Sequence, residues 1–174
     1  MSLNFFVLYV GGGQEKLVCD FLNEKCSDWL VFCPMMEKFH RCRGVDEVVC
    51  CPLFPNYIFV STAMDVVEFH RVLFCLRSSL FGFVRELEYE DMDVPVLYDF
   101  EVEFLNRILD DDFCMRISRG VICDGVLRVV SGPLLGFESL VSYVNRHKRF
   151  AIVSSVFRGK EVRVKFGLEV VDKC

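Results

Sequence analysis

The sequence predicts an α+β fold in two parts, an α/β sandwich followed by a small all-β barrel. Three observations predict it. Up to about residue 110, strand-like apolar runs alternate with stretches whose apolar residues recur with the helical period. Beyond it, five short apolar segments separated by turn residues fall within fewer than sixty residues. The charge also reverses: residues 1–115 hold 9 Lys plus Arg against 20 Asp plus Glu, a balance of -11, and residues 116–174 hold 11 against 5, a balance of +6. A reversal this sharp in a chain of net charge -5 marks a domain boundary and points to an acidic or nucleic-acid partner for the basic part.

In chain order, "FFVLYV" reads as a buried strand, and Leu17, Val18, Phe21 and Leu22 give the next segment a helical face. "DWLVFC" is a strand stopped by Pro34, and a hairpin follows from Phe39 to Cys42 and from Glu47 to Leu53, turning around Gly44. "NYIFVS" is a further strand, Asp65 to Phe74 a helix, and "LFGFVRE" a strand. Phe100, Phe104, Leu105, Ile108 and Leu109 share one helical stripe that Asp99 is placed to cap. Asp110, Asp111 and Asp112 oppose the helix dipole and end that helix. These signals put an N-terminal domain at 1–110, a linker at 111–119 and a second domain at 120–174.

In the second domain, strands are expected at 127–130, 140–144, 149–154, 161–165 and 168–171, with turns at Gly132-Pro133, Asn145 to Lys148, Arg158-Gly159 and Gly167. Its glycines, Pro133 and many valines oppose a helical alternative. The turn at "NRHKR" projects Arg146, His147 and Lys148, with Arg149 entering the next strand. Arg158, Lys160, Arg163 and Lys165 add four cations on the following hairpin, and Arg163 and Lys165 share a strand face by their spacing of two. A solvated turn and a phosphate-binding surface both fit one basic turn. Two basic groups on one face of a curved barrel favour the second.

Other chemistry finds little support. "FFVLYV" is too short for a signal h-region or a membrane span, so a cytoplasmic protein without membrane attachment is expected. Ten cysteines with no Cys-x-x-Cys spacing read as reduced, buried small hydrophobes, with no metal site. Gly11 to Gly13 lack both phosphate-loop spacings, and Glu15 would sit against the anion, so the run is a turn. The acidic stretch from Glu86 to Asp93 lacks calcium-loop spacing and reads as a solvated loop. No nucleophile, base and orienting group combine into a catalytic set, and a binding protein without a cofactor is the expectation.

At these residues the chain resembles the NusG family of transcription elongation factors. "NFFVLYVGGGQEKLVCDFL" is similar to the family's opening strand and helix, with Phe5 and Phe6 where a Trp-Tyr pair is usual. "PLFPNYIFV" resembles its Phe-Pro-Gly/Asn-Tyr strand, and "PVLYDFEVEFL" the segment closing its N-terminal domain. "LRVVSGPLLGFESLV" resembles its KOW motif, with Ser139 where a glycine is usual, and "SSVFRGKEVRV" the paired strand that follows. The resemblance implies a NusG-type N-terminal domain and an SH3-like KOW barrel.

It also implies partners. The family's N-terminal domain docks across the clamp helices and gate loop of RNA polymerase. By position, Tyr9, Phe54, Tyr57 and Phe59 fall on the apolar docking surface, and Glu68, Phe69, His70 and Arg71 near the gate-loop contact. Phe157 falls where the barrel would meet a ribosomal protein or termination factor. "FPNY" and the divergent body resemble the specialised paralogues, LoaP-like or RfaH-like. An N-terminal field of -11 repels DNA, whereas the basic barrel suits RNA. The implied function is a monomeric processive antiterminator recruited by a leader RNA hairpin through Arg146, His147, Lys148, Arg149, Arg158, Lys160, Arg163 and Lys165. The alternatives are a general NusG-like elongation or coupling factor, an RfaH-like reader of non-template DNA, or a translational KOW protein that does not bind polymerase.

Overall fold

The computed structural model describes residues 3–76, 79, 83–86, 96–157 and 159–173. Arg158 and the acidic stretch beyond Glu86 lie outside the described residues. The chain forms two compact units: one of Met1–Pro34 with Phe54–Val102, the other of Met35–Leu53 with Glu103–Cys174. This division differs from the one expected at residue 110, because the hairpin at 35–53 joins the C-terminal half. The fold class is the expected one, a mixed α/β N-terminal part plus a small β KOW-like part.

The first unit holds β1 (Asn4–Val10), α1 (Glu15–Lys25), β2 (Leu30–Phe32), β5 (Tyr57–Thr62), α2 (Val66–Leu76) and β6 (Phe83–Glu86), numbered in chain order. Its antiparallel sheet runs β2-β5-β1-β6. Strand alternation sends Phe6, Leu8, Val10, Ile58, Val60 and Val31 to one face, where they pack with Val18 and Leu22 of α1 and Phe69 and Leu73 of α2. Phe69 is fully buried, stacked 3.7 Å from Phe6 and 4.8 Å from Trp29. The glycine run is a turn, as expected. It leads into α1, where the buried Glu15 carboxylate accepts the backbone N–H of Asn56 at 3.0 Å. Asn56 has positive φ, a left-handed conformation that Asn tolerates through its short polar side chain.

The second unit begins with the hairpin of β3 (Met35–Cys42) and β4 (Val45–Pro52), longer than its hydrophobic pattern suggests. Arg43 and Gly44 both have positive φ, the backbone that a two-residue hairpin turn demands. The helix α3 (Asp99–Ile108) crosses the division between the units. Asp99 is its first helical residue, not its cap. Tyr98 takes that place, its carbonyl accepting the Glu101 and Val102 N–H groups while the buried Glu101 carboxylate accepts the Tyr98 N–H at 2.9 Å. Phe100 departs from the expected buried stripe, being exposed, while Leu105 and Ile108 are buried.

The segment expected as linker, 111–119, instead carries β7 (Cys114–Met115), which pairs parallel with β3, and the start of β8 (Ser118–Cys123). Arg116 pins it, donating to Asp110, Asp112 and Glu37. Burial works against the Asp110 carboxylate, yet hydrogen bonds from Arg116 and from the Cys114 and Asp112 N–H groups hold its pKa below the usual value. β8 turns through Asp124-Gly125 into β9 (Val126–Ser131), and a 3₁₀ turn at Glu138–Leu140 leads to β10 (Val141–Asn145) and β11 (Phe150–Phe157). The last two expected strands are one: β12 (Lys160–Lys173) continues through Gly167. These strands form a five-stranded sheet in the order β10-β11-β12-β8-β9. Gly167 serves close approach, since a Cβ there would meet the Glu37 carbonyl oxygen at 2.9 Å and Ile117 Cγ1 at 3.0 Å.

Gly132 is the most constrained point of the KOW-like segment. Its φ is +96°, and a Cβ would lie 2.6 Å from Ser118 Cα, whereas Gly125 at φ +80° has nothing within 4 Å. Gly125→Ala should cost about 1–2 kcal/mol for the left-handed backbone, and Gly132→Ala clearly more. Thermal unfolding of the two variants checks this, and equal losses would show that the Ser118 approach constrains nothing.

Candidate nucleic-acid interface

The basic turn is built by its flanking residues. Asn145 and Phe150 pair as the last residue of β10 and the first of β11, leaving Arg146 to Arg149 as a four-residue turn. The Asn145 side chain closes it, because its Oδ1 accepts the Lys148 backbone N–H at 2.8 Å. Asn favours turns for this reason, its side chain replacing a backbone acceptor. Arg146, His147 and Lys148 are exposed, and their side chains make no ion pair or hydrogen bond among the described residues.

Arg149 behaves otherwise. It is the last turn residue, with positive φ, and does not enter the strand. Its guanidinium pairs with Glu169 and with Asp46, and its Cζ lies 3.4 Å from the centroid of the Phe39 ring. With 26% side-chain exposure it is a clamp between the turn, β3–β4 and β12, not a cation available to a ligand. The sequence offers no sign of this, because Asp46 and Phe39 lie about a hundred residues away in the chain.

Arg163 and Lys165 share one exposed face of β12, with Val164 and Phe166 buried on the other, as their spacing predicts. Lys165 Nζ lies 4.0 Å above the Phe150 ring. The same face carries Ile152 and Ser154 of β11, opposite Lys165 and Arg163, and ends with Glu161 opposite Val156. Lys160 is exposed at the far turn. The two basic turns do not converge. They cap opposite ends of β11, a separation of about 23 Å at the usual rise per strand residue. What joins them is the β12 face. Arg146 also lines an open cleft of about 450 Å³ with Ile122, Gly125 and Val144.

Phe157, expected as a barrel contact, retains 9% exposure and belongs to the buried set. In the first unit the expected docking residues separate. Tyr9 and Tyr57 face each other across β1 and β5, ring centroids 5.4 Å apart, both half-buried. Phe54 is half-buried beside Phe59, which is fully buried. Glu68 and Arg71 are exposed on α2 and His70 is half-buried, while Phe69 is core. Since Tyr9 alternates with the α2-facing Leu8 and Val10, the aromatic and α2 groups lie on opposite faces of the sheet. Phe59, on the Tyr57 face, and Phe69, on the α2 side, are both fully buried, so neither ring is open to a partner.

The cysteines are less buried than their type predicts. Among the described residues Cys19 and Cys114 are buried, and Cys42, Cys50 and Cys75 are exposed. Burial pushes the Cys19 thiol up to about 12, and burial with a contact to Cys50 pushes Cys114 up to about 12.

A family model described as "Transcription termination factor nusG" matches residues 3–99. The chain belongs to the NusG family. A solved structure described as "Domain interaction in Thermotoga maritima NusG" is similar, with a TM-score of 0.47 and 16% identity over 95% of this chain and 94% of that one. At that identity and score the likeness decides nothing about function. No curated protein matches the chain closely enough to count. NusG family members are transcription factors of the cytoplasm, not enzymes, and generally bind RNA polymerase. Among the described residues no helix is long and apolar enough to cross a membrane.

The geometry separates structural from available cations. Arg149→Ala should lower stability by about 1–3 kcal/mol, since it strips Glu169 of a partner and Phe39 of its stacked guanidinium. The pair Arg146→Ala and Lys148→Ala should change it by less than about 0.5 kcal/mol. Denaturant midpoints of the full chain decide between these roles, and an Arg149→Ala midpoint equal to that of the pair would remove the clamp.

Proposed function

We propose that this NusG family protein is a processive antiterminator that docks on RNA polymerase through its N-terminal unit and is recruited by structured RNA through the KOW-like sheet. The observation that carries the RNA reading is the set of exposed cations Arg146, Lys148 and Arg163. They have no ion pair among the described residues and sit in a segment of +6 that follows one of -11. Phosphates would satisfy them, and RNA helices are recognised largely through shape and backbone. The acidic balance of the N-terminal segment opposes a DNA strand there.

Polymerase docking is assigned to Tyr9, Tyr57 and Phe54 on one face of the sheet and to Glu68, His70 and Arg71 of α2 on the other. A domain with usable groups on both faces suits contact with two polymerase elements, the clamp helices and the opposing gate loop. Half-buried tyrosines make good anchors because much of each ring is already held by its neighbour.

Two measurements test these assignments. Tyr9→Ala with Tyr57→Ala in the full chain should weaken binding to core RNA polymerase by about tenfold or more, with folding retained. Phe59→Ala should instead destabilise the protein by about 3–5 kcal/mol. Unchanged polymerase affinity in the double variant would sink this docking face. For RNA, replacing Arg146, Lys148 and Arg163 with Gln should flatten the slope of log K against log salt for a hairpin by about 2–3 units. An unaltered slope, or equal wild-type affinity for duplex DNA, would overturn recruitment by RNA.

A further inference from the structure

The face that carries Lys165 and Arg163 also carries an exposed ring. Tyr143 lies on β10, the strand at one edge of the five-stranded sheet, directly across from Ile152, and is 51% exposed. Its ring is held in place. Asn145 Nδ2 donates a hydrogen bond to Tyr143 Oη at 3.1 Å, and the ring leans on Phe150 with centroids 6.0 Å apart. The other half of the Asn145 side chain accepts the Lys148 N–H, so one residue positions both the basic turn and the aromatic ring. Phe150 is itself covered by Lys165 Nζ at 4.0 Å. Of the two rings Tyr143 is the more exposed, flanked by the cations of the turn and of β12.

A preoriented aromatic ring among cations is the arrangement that binds unpaired nucleobases, since each base offers a π-face and its phosphate a negative charge. Charge complementarity favours a polyanion: Asp46 and Glu169, the acids that reach the turn's Arg149, are paired with it. We propose that Tyr143 stacks an unpaired base of the bound RNA, in the loop or flank of a hairpin, while Lys148, Lys165 and Arg163 hold the adjoining phosphates. This rests on the RNA reading above and refines it: the preferred ligand is a hairpin with accessible unpaired bases, not a continuous duplex.

The test uses the full chain with three RNA probes: a hairpin carrying 2-aminopurine in an unpaired loop, a fully paired duplex of similar charge, and single-stranded oligouridine. The wild type should quench 2-aminopurine on binding and prefer the looped hairpin and oligouridine to the duplex. Tyr143→Ala should lower affinity for those two about tenfold, within the range for losing one stacked base, and abolish the quenching. Its duplex affinity and its salt slope should stay unchanged. Tyr143→Phe should retain quenching, which separates stacking from the Asn145 hydrogen bond, and thermal unfolding reports whether Tyr143→Ala remains folded. If Tyr143→Ala binds and quenches as the wild type does, while neutralising Arg146, Lys148 and Arg163 weakens binding, stacking is overturned and RNA recruitment stands. If the wild type binds none of the three probes, or binds an acidic peptide in their place, both are overturned.

Discussion

The candidate interface depends on the continuity of β12. This strand pairs antiparallel with β11 through its first half and parallel with β8 through its second, and so joins the two halves of the five-stranded sheet. The changeover lies at Gly167–Leu168, where the absence of a side chain lets the backbone pass against the Glu37 carbonyl and Ile117. Any Cβ there would push β12 off the β3–β4 hairpin. The cations of the candidate face are registered on this strand: Lys165 by its pairing with Ile152, Arg163 by Ser154, and the basic turn by Phe150 opposite Gly167.

Net charge locates a basic segment but does not say which cations a ligand can use. Arg116, Arg119 and Arg149 all belong to the +6 segment, and all three are engaged by carboxylates within the unit. Arg116 turns two acids at the end of α3, Asp110 and Asp112, from a mismatch with the helix dipole into an anchor for the loop, with Glu37 of β3 as the third acceptor. Arg149 does the same between hairpin and sheet. What is left for a polyanion is a narrower set on one turn and one strand face, next to an aromatic ring, and this narrower set argues for recognition more strongly than the overall balance does.

The first unit follows the same logic with apolar groups. Its sheet is buried on the α1–α2 side by Phe6, Leu8, Ile58 and Phe69, while Tyr9 and Tyr57 occupy the opposite face. Residues adjacent in the sequence therefore serve different purposes. Phe69 is a core stack between an exposed Glu68 and a half-buried His70, and Phe59 is fully buried where Tyr57, two residues earlier, is half open. A motif places such residues together in a line, and the fold then distributes them.

Local periodicity and turn chemistry were enough to read the order of most strands and helices, the α/β-then-β plan, the glycine turn ahead of α1, and the shared face of Arg163 and Lys165. A signal for β8 was also present, since Asp124-Gly125 demands a tight hairpin turn with positive φ at both residues. Four features came only from the folded chain. β12 runs unbroken through a glycine that elsewhere marks a turn, the 35–53 hairpin belongs with the C-terminal half, Arg149 is clamped, and Tyr143 stands beside the cations. Most of these depend on partners distant in the chain, and side-chain periodicity records which face a residue takes but not what the opposing strand places against it.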